Sequence, residues 1–366
     1  MAMVKSRSAV IRDPQAPYCI ETIELDDPGA GEALVRVRAA GLCHTDQIGR
    51  SGLLGAGFMP AVLGHEGAGV VEAVGPGVTA VAPGDHVVLS FDSCGGCPAC
   101  RSGSPAYCAS FELLNMSGTR ADGSRGARDG NGAPVTSRWF GQSSFGQYCL
   151  ATERNMVKVP ADLPLEKLGP LGCGIQTGAG AVLNQMRLAA GQSLAVFGAG
   201  AVGLAAVMAA KLAGASEIAV VDINPARLET AAGLGATRLV DGRDGDVVKA
   251  VTGSGGGLDF SFDTTGVASV MGQAVTVLTR PGTCVLVGAG MDSVTVHPAE
   301  LAGKTLTYCY EGAAVPQLFI PKLIALWQQG LFPFDELIKT YLLDDINQAE
   351  ADAVAGSAVK PVLVMP

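Results

Sequence analysis

The stretch Ser193–Asp222, SLAVFGAGAVGLAAVMAAKLAGASEIAVVD, decides the fold. It opens as a short apolar strand, passes through Gly198, Gly200 and Gly203 in a G-x-G-x-x-G pattern, runs on as an alanine-rich helix and ends in a second strand, EIAVVD. Asp222 closes that strand nineteen residues after the last glycine. A lone G-x-G-x-x-G carries little weight, but strand, glycines, helix, strand and terminal acid in one βαβ unit make a dinucleotide-binding fingerprint. The glycines let a pyrophosphate approach the helix N-terminus, where free N–H groups and the helix dipole favour an anion. Asp222 would bind the adenosine ribose hydroxyls and repel a 2′-phosphate, which selects NAD over NADP. The alternative is a structural βαβ unit that holds no dinucleotide.

Working outward, the chain after Asp222 keeps alternating. NPARLETAAGLGA reads as a helix, LDFSFDTTG as a strand, ASVMGQAVTVLTR as a helix and GTCVLVGAG as a strand. This predicts an α/β class with a doubly wound parallel sheet over residues 176–310. Beyond it, VPQLFIPKLIALWQQG has a helical apolar pattern and KPVLVMP reads as a strand. Before residue 176 the chain is β-rich and glycine-rich. EALVRVRAAG alternates like a half-buried strand, and residues 111–144, ADGSRGARDGNGAP above all, read as a long exposed loop.

At 366 residues the chain exceeds one typical core and implies two domains. Hydrophobic residues at 48% against charged residues at 16% fit a packed globule and exclude disorder. The longest apolar run, 201–210, is too short to span a bilayer and continues into Lys211, so no membrane partner is expected. MAMVKSRSAVIRDP contains no apolar signal core, and a cytoplasmic location is the expectation. A formal charge of −9 argues against a nucleic-acid partner.

Ten cysteines are many for disulfides in a reducing compartment, so their spacing matters. Cys94, Cys97, Cys100 and Cys108 follow C-x2-C-x2-C-x7-C. Four thiolates on one short lobe can close a tetrahedron around a structural zinc. An iron–sulfur cluster competes, but its bacterial run continues with three residues and Cys-Pro, whereas here seven residues and Cys-Ala follow.

The stretch from Gly41 to Val71 reads GLCHTD, a glycine-rich loop and GHEGAGVV. Cys43 and His65 are zinc-ligand types, with Asp46 and Glu66 able to orient the histidine and balance charge. Cys173, in LGCGIQTGAG, is the candidate third ligand, and a catalytic zinc keeps its fourth position open. Taken singly, each of these three is also an ordinary buried side chain.

The order GLCHTD, GHEGAG, four-cysteine lobe, GCGIQTG, G-x-G-x-x-G and terminal KPVL resembles the zinc-dependent alcohol dehydrogenases of the medium-chain dehydrogenase/reductase superfamily, across essentially the whole chain. FGQSSF and EGAAVPQLFIPKLIALWQQGLFPFDELI look most like the aryl-alcohol (benzyl alcohol) members. The resemblance implies a GroES-like catalytic domain, residues 1–175 completed by 311–366, with a Rossmann NAD-binding domain at 176–310 inserted. It implies a catalytic zinc on Cys43, His65 and Cys173 with Glu66 able to approach the metal, a second zinc on the lobe, and Asp46 behind the histidine. It places Thr45 at the substrate proton, His44 and Lys360 near the cofactor pyrophosphate, Thr177 near the nicotinamide and Arg227 near the adenosine ribose.

One position departs from some members. Ile48 stands where they carry the histidine that ends the proton relay, and an isoleucine moves no proton. The expected reaction is hydride transfer between a primary benzylic alcohol and NAD, giving the aldehyde, with Phe91 and Phe145 as candidate pocket walls. Allylic or terpenoid alcohols or a hydroxymethyl-thiol adduct are the alternatives within the class; a non-catalytic zinc- and nucleotide-binding protein is the alternative outside it. A homodimer or homotetramer is implied, joined through the edge of the Rossmann sheet near residues 283–296.

Overall fold

The computed structural model describes residues 3–14, 16–55, 57–290 and 292–366. The chain divides into two compact units, one of residues 1–173, 315–324 and 335–366, the other of 174–314 and 325–334.

The first unit is built on β-structure. Strands Val4–Ile11, Cys19–Leu25, Gly126–Arg128, Pro134–Thr136 and Ala61–Val62 close a small barrel. A second sheet runs in the order Met156–Val159, His86–Leu89, Gly67–Val74, Glu32–Gly41, Lys360–Val364, Ile338–Leu342, with Tyr148–Thr152 also paired to Glu32–Gly41. The strand Glu32–Gly41 is almost wholly buried and not half-buried, because three other strands bond to it. Trp139, Phe145, Ile11, Ile23 and Leu150 fill the core. Each such side chain contributes roughly 1.5–3 kcal/mol through burial.

The stretch expected as a long exposed loop is partly structured. Asp129 Oδ1 accepts the N–H groups of Asn131 and Ala133 and tightens a turn, so Gly126–Arg128 pairs antiparallel with Pro134–Thr136. Gly132 takes the positive φ of 81° that this turn needs. Residues 135–146 then run buried.

The second unit carries a six-stranded, all-parallel sheet in the order Arg238–Asp241, Glu217–Asp222, Ser193–Phe197, Leu258–Asp263, Leu278–Leu286, Lys304–Tyr308. Its central strands read as continuous apolar runs, as strands buried on both faces do. The outer strand on one side is Lys304–Tyr308; residues 283–286 lie in an inner strand paired on both sides, so the sheet edge falls later in the chain than expected. No helix among the described residues is long and apolar enough to cross a membrane.

Candidate active site and metal centres

Sheet pairing brings distant residues together in the first unit. Ala40 lies opposite Gly67, and Gly41 N–H bonds to Glu66 O at 3.0 Å. The chain therefore leaves one strand at Cys43 beside the point where it enters the next at His65. The terminal strand pairs Val362 with Gly41, which carries Lys360 to the same place. Cys173 arrives on a turn, Gly169–Gly172, that presses on both strands. A Cβ at Gly172 would sit 2.0 Å from Leu89 O and one at Gly169 2.3 Å from Glu66 O, so only glycine lets the turn approach. One ligand atom from each of Cys43, His65, Glu66 and Cys173 then lies within 4.8 Å of all the others.

His65 is fully buried, and its two ring nitrogens differ. Nδ1 lies 2.7 Å from Asp46 Oδ1, which also accepts N–H bonds from Gly64 at 3.1 Å and Trp139 Nε1 at 3.1 Å. An oxygen already receiving two donors is an acceptor, so Nδ1 carries a proton and Nε2 is the nitrogen left to take either a second proton or a metal. Nε2 is buried and meets no hydrogen-bond partner among the described residues. A group left so costs about 1–3 kcal/mol, and a metal ion in the Cys43, His65, Cys173 pocket would satisfy it. Two sulfurs, an imidazole and a carboxylate form a donor set that fits zinc.

The electrostatics agree. Hydrogen bonding with Cys173 holds the Cys43 thiol well below its usual range in spite of burial. Burial opposes charge on His65, but Asp46 and Cys43 outweigh it and raise its pKa well above the ordinary value. Burial pushes Glu66 up to about 7 against the pull of Lys360. The Lys360 ammonium, 3% exposed, bonds both Glu66 oxygens at 2.9 Å and Leu42 O at 3.1 Å, which occupies all three of its donors. The residue expected near a pyrophosphate is thus the partner of Glu66. That pairing follows from the register of the terminal strand, which the sequence does not display.

Asp46, Thr45 and His44 sit on the short helix His44–Arg50, whose N-cap is Cys43. Asp46 Oδ2 accepts Cys43 N–H at 3.1 Å and ties the helix start to the ligand loop. Thr45 Oγ1 lies 3.7 Å from Cys43 Sγ, beside the cluster, while His44 is exposed. Phe91 and Phe145, expected as pocket walls, are core residues, 3% and 0% exposed.

Sequence reasoning missed the segment Trp139–Ser143 as a support of this site. Phe140 lies 4.6 Å from the His65 ring at 32°, and Gln142 Nε2 bonds His65 O at 2.9 Å while its Oε1 accepts Gly67 N–H at 3.0 Å. The only signal was FGQSSF itself, legible as a subfamily mark and not as contacts.

The lobe holds the second cluster. The sulfurs of Cys94, Cys97, Cys100 and Cys108 lie within 4.8 Å of one another, and none forms a disulfide. Backbone N–H groups point at them: Cys97 to Cys94 Sγ at 3.3 Å, Cys94 to Cys108 Sγ at 3.2 Å and Ala109 to Cys97 Sγ at 3.5 Å. Four sulfurs on one short lobe fit a closed structural zinc.

In the second unit, Gly198 has φ +96°, and a Cβ at Gly203 would lie 1.8 Å from Gly198 O. Gly200 caps the helix Ala201–Ala213 without a side chain, leaving its first N–H groups available to an anion. Asp222 Oδ2 accepts Ala199 N–H at 2.6 Å and Oδ1 accepts Asn224 N–H at 2.8 Å, so this acid also shapes the glycine loop. Arg227, near the start of the helix Pro225–Leu234, has a buried Nε with no partner among the described residues. Thr177 is buried on the helix Gly174–Gly180, which abuts Ala201–Ala213 where a Cβ at Gly178 would lie 2.0 Å from Val202 O.

Comparison with known proteins adds to this geometry. Residues 29–161 match the family profile described as the alcohol dehydrogenase GroES-like domain, and 201–324 that of the zinc-binding dehydrogenases. The chain is 45% identical to the geraniol dehydrogenase of Castellaniella defragrans over 99% of its own length and 98% of that protein's. Two solved structures superpose over 100% of both chains: an alcohol dehydrogenase zinc-binding domain protein from Burkholderia ambifaria, 49% identical with a TM-score of 0.96, and benzyl alcohol dehydrogenase from Acinetobacter calcoaceticus, 42% identical with a TM-score of 0.95.

Proposed function

The chain belongs to the zinc-dependent alcohol dehydrogenases of the medium-chain superfamily, whose cofactors are zinc and NAD, and from that premise we propose that it interconverts primary benzylic alcohols and their aldehydes. The observation that carries the reading is the partnerless Nε2 of His65 facing Cys43 and Cys173. Cys43, His65 and Cys173 would hold the catalytic zinc with Glu66 beside them, and the four lobe cysteines the structural one. When bound, zinc supplies Lewis acidity to a substrate hydroxyl and NAD supplies the hydride acceptor.

The remaining work falls to side chains. Thr45 accepts the substrate hydroxyl hydrogen bond beside Cys43 and passes the proton outward. Ile48, one helical turn on, cannot receive it, so the proton must pass to water or to another base; a bound NAD would offer a ribose hydroxyl for this. Asp46 keeps the His65 proton on Nδ1, and Lys360 neutralises Glu66 in a buried setting. In the second unit the Gly198–Gly203 loop, Asp222, Arg227 and Thr177 are the proposed NAD contacts.

The substrate class rests on chemistry shared by the named relatives. Benzyl alcohol and geraniol both carry the carbinol next to an unsaturated carbon, so either product aldehyde is conjugated, which favours oxidation. The 45% identity to a geraniol dehydrogenase supports allylic alcohols as the second reading. The test follows NADH absorbance with benzyl alcohol, geraniol and ethanol on protein of counted zinc content. We expect two zincs per chain and the fastest turnover on benzyl alcohol. Faster geraniol turnover would transfer the assignment to the second reading; two zincs without turnover of any alcohol would make the protein a non-catalytic binder. Association into a homodimer or homotetramer belongs to the same proposal and is read by analytical ultracentrifugation.

A further inference from the structure

Asp46 is more heavily bound than a histidine partner needs to be. Its Oδ1 accepts from Gly64 N–H, His65 Nδ1–H and Trp139 Nε1–H, and its Oδ2 from Cys43 N–H. Two of these donors belong to the peptide backbone and one to the histidine. The fourth comes from a side chain 93 residues away in sequence.

Trp139 is completely buried, and its surroundings fix the ring. Phe58 meets it edge-on at 5.7 Å and 80°, and Phe140 at 5.2 Å and 70°. On the helix that carries Asp46, a Cβ at Gly49 would come within 3.3 Å of Trp139 Cζ2, so the indole lies close against that helix at its glycine. Ser143 Oγ accepts the Trp139 backbone N–H at 2.9 Å and donates to Val62 O at 2.7 Å, which anchors the segment to the chain just before His65. Phe140 then covers the face of the His65 ring. Indole and phenyl thus constrain two parts of one device, the carboxylate and the imidazole it orients.

We propose that Trp139 is a positioning residue for the catalytic metal: its indole N–H locks the Asp46 carboxylate and through it the plane of the His65 imidazole. The proposal rests on Cys43, His65 and Cys173 being the zinc ligands. Groups that orient metal-bound histidines typically change metal affinity or activity by 10–100-fold when removed. Trp139 acts one bond further out, so the lower end of that range applies.

The experiment is Trp139→Phe, which keeps an aromatic ring and removes the indole N–H together with the outer edge of the fused ring. Zinc release from variant and wild-type holoenzyme is titrated with a chromogenic chelator, the lobe zinc of the same molecule serving as the internal reference. We expect one zinc per chain to leave at roughly tenfold lower chelator concentration in the variant while the other is unmoved. Equal release of both zincs from the two proteins overturns the proposal. A wild-type protein that holds only one zinc overturns instead the ligand assignment on which it rests. A second measurement keeps the test open should the variant fold poorly. The chain has two tryptophans, so the wild-type ¹H–¹⁵N spectrum carries two indole signals. Stripping the catalytic zinc is expected to move the Trp139 signal and leave that of Trp327; two unmoved signals overturn the proposal as well.

Discussion

The two cysteine clusters are built in opposite ways. The lobe draws all four sulfurs from residues 94–108 and surrounds them with N–H groups of its own backbone. The catalytic cluster draws its atoms from positions 43, 65, 66 and 173 and surrounds them with the charged side chains Asp46 and Lys360. A local loop can be written as a spacing, and a closed metal site needs nothing more. A site assembled by sheet register must be held by groups that are themselves buried and charged, which ties it to the stability of the whole unit.

The largest test of this contrast is a pair of ligand deletions. Cys43→Ala is expected to remove one zinc and lower kcat by about 10³-fold or more, because Lewis-acid stabilisation is worth several kcal/mol and each 1.4 kcal/mol is tenfold. Its thermal midpoint should fall as well, because the buried Nε2 of His65 then lacks the partner that the metal supplies. Cys97→Ala should remove the other zinc and lower the midpoint by roughly 5 °C or more, with near-normal kcat in molecules that remain folded. Metal counts, calorimetry and steady-state rates on both variants check this, and equal effects of the two substitutions would erase the distinction.

Next in size is the buried pair. Lys360→Met leaves Glu66 without a counter-charge, and breaking such a pair costs about 3–5 kcal/mol. The cost should depend on pH in the metal-free protein. Burial raises Glu66 from 4.5 to about 7, so the folded form holds this proton more tightly than the unfolded chain. That contribution is complete below about pH 4.5 and is lost as pH rises through 7. Chemical denaturation of chelator-treated protein from pH 5 to 8 should show the decline, and Glu66→Gln should flatten it.

The same contrast explains what the sequence disclosed. The glycine fingerprint ending at Asp222 is continuous in the chain, so the parallel sheet and its loop were legible from pattern alone. The lobe was legible for the same reason. Cys173 was legible only as a candidate, from the glycines around it, and Lys360 not at all, since no periodicity links either to Cys43; the resemblance brought in the lysine, and the register of the strand Lys360–Val364 sets it on Glu66. Trp139 and Gln142 were invisible because a side chain that bonds a carboxylate or a carbonyl from far along the chain leaves no spacing to read. The turn at Asp129 hid a strand pair inside a composition that reads as loop.

A finer test concerns the lobe before metal binds. The backbone N–H groups of Ala109 and Cys100 pull Cys97 down to about 6, while burial pushes Cys100 up to about 12. The thiolate is the nucleophile, so in metal-free protein alkylation of Cys97 should rise through pH 6, whereas Cys100 stays protected up to pH 9. Mass spectrometry after short iodoacetamide pulses resolves the two, and equal labelling would show that the lobe is not preformed without zinc.

The smallest expected effect is at Ile48. This residue follows Thr45 by one helical turn and is only partly buried, so both face the same side of the helix His44–Arg50. Water can already reach the position, and a histidine there would replace a mobile acceptor by a fixed one with a pKa near 6.5. Ile48→His should therefore raise kcat only about two- to threefold near neutral pH and introduce a fall below pH 6, where the imidazole is protonated and accepts nothing. The pH profile decides the point better than the rate at one pH. An unchanged profile would mean that the proton leaves Thr45 by a route that avoids this face of the helix, and the contrast would then extend to the relay: the ligands are fixed by register, but the proton path is left to solvent.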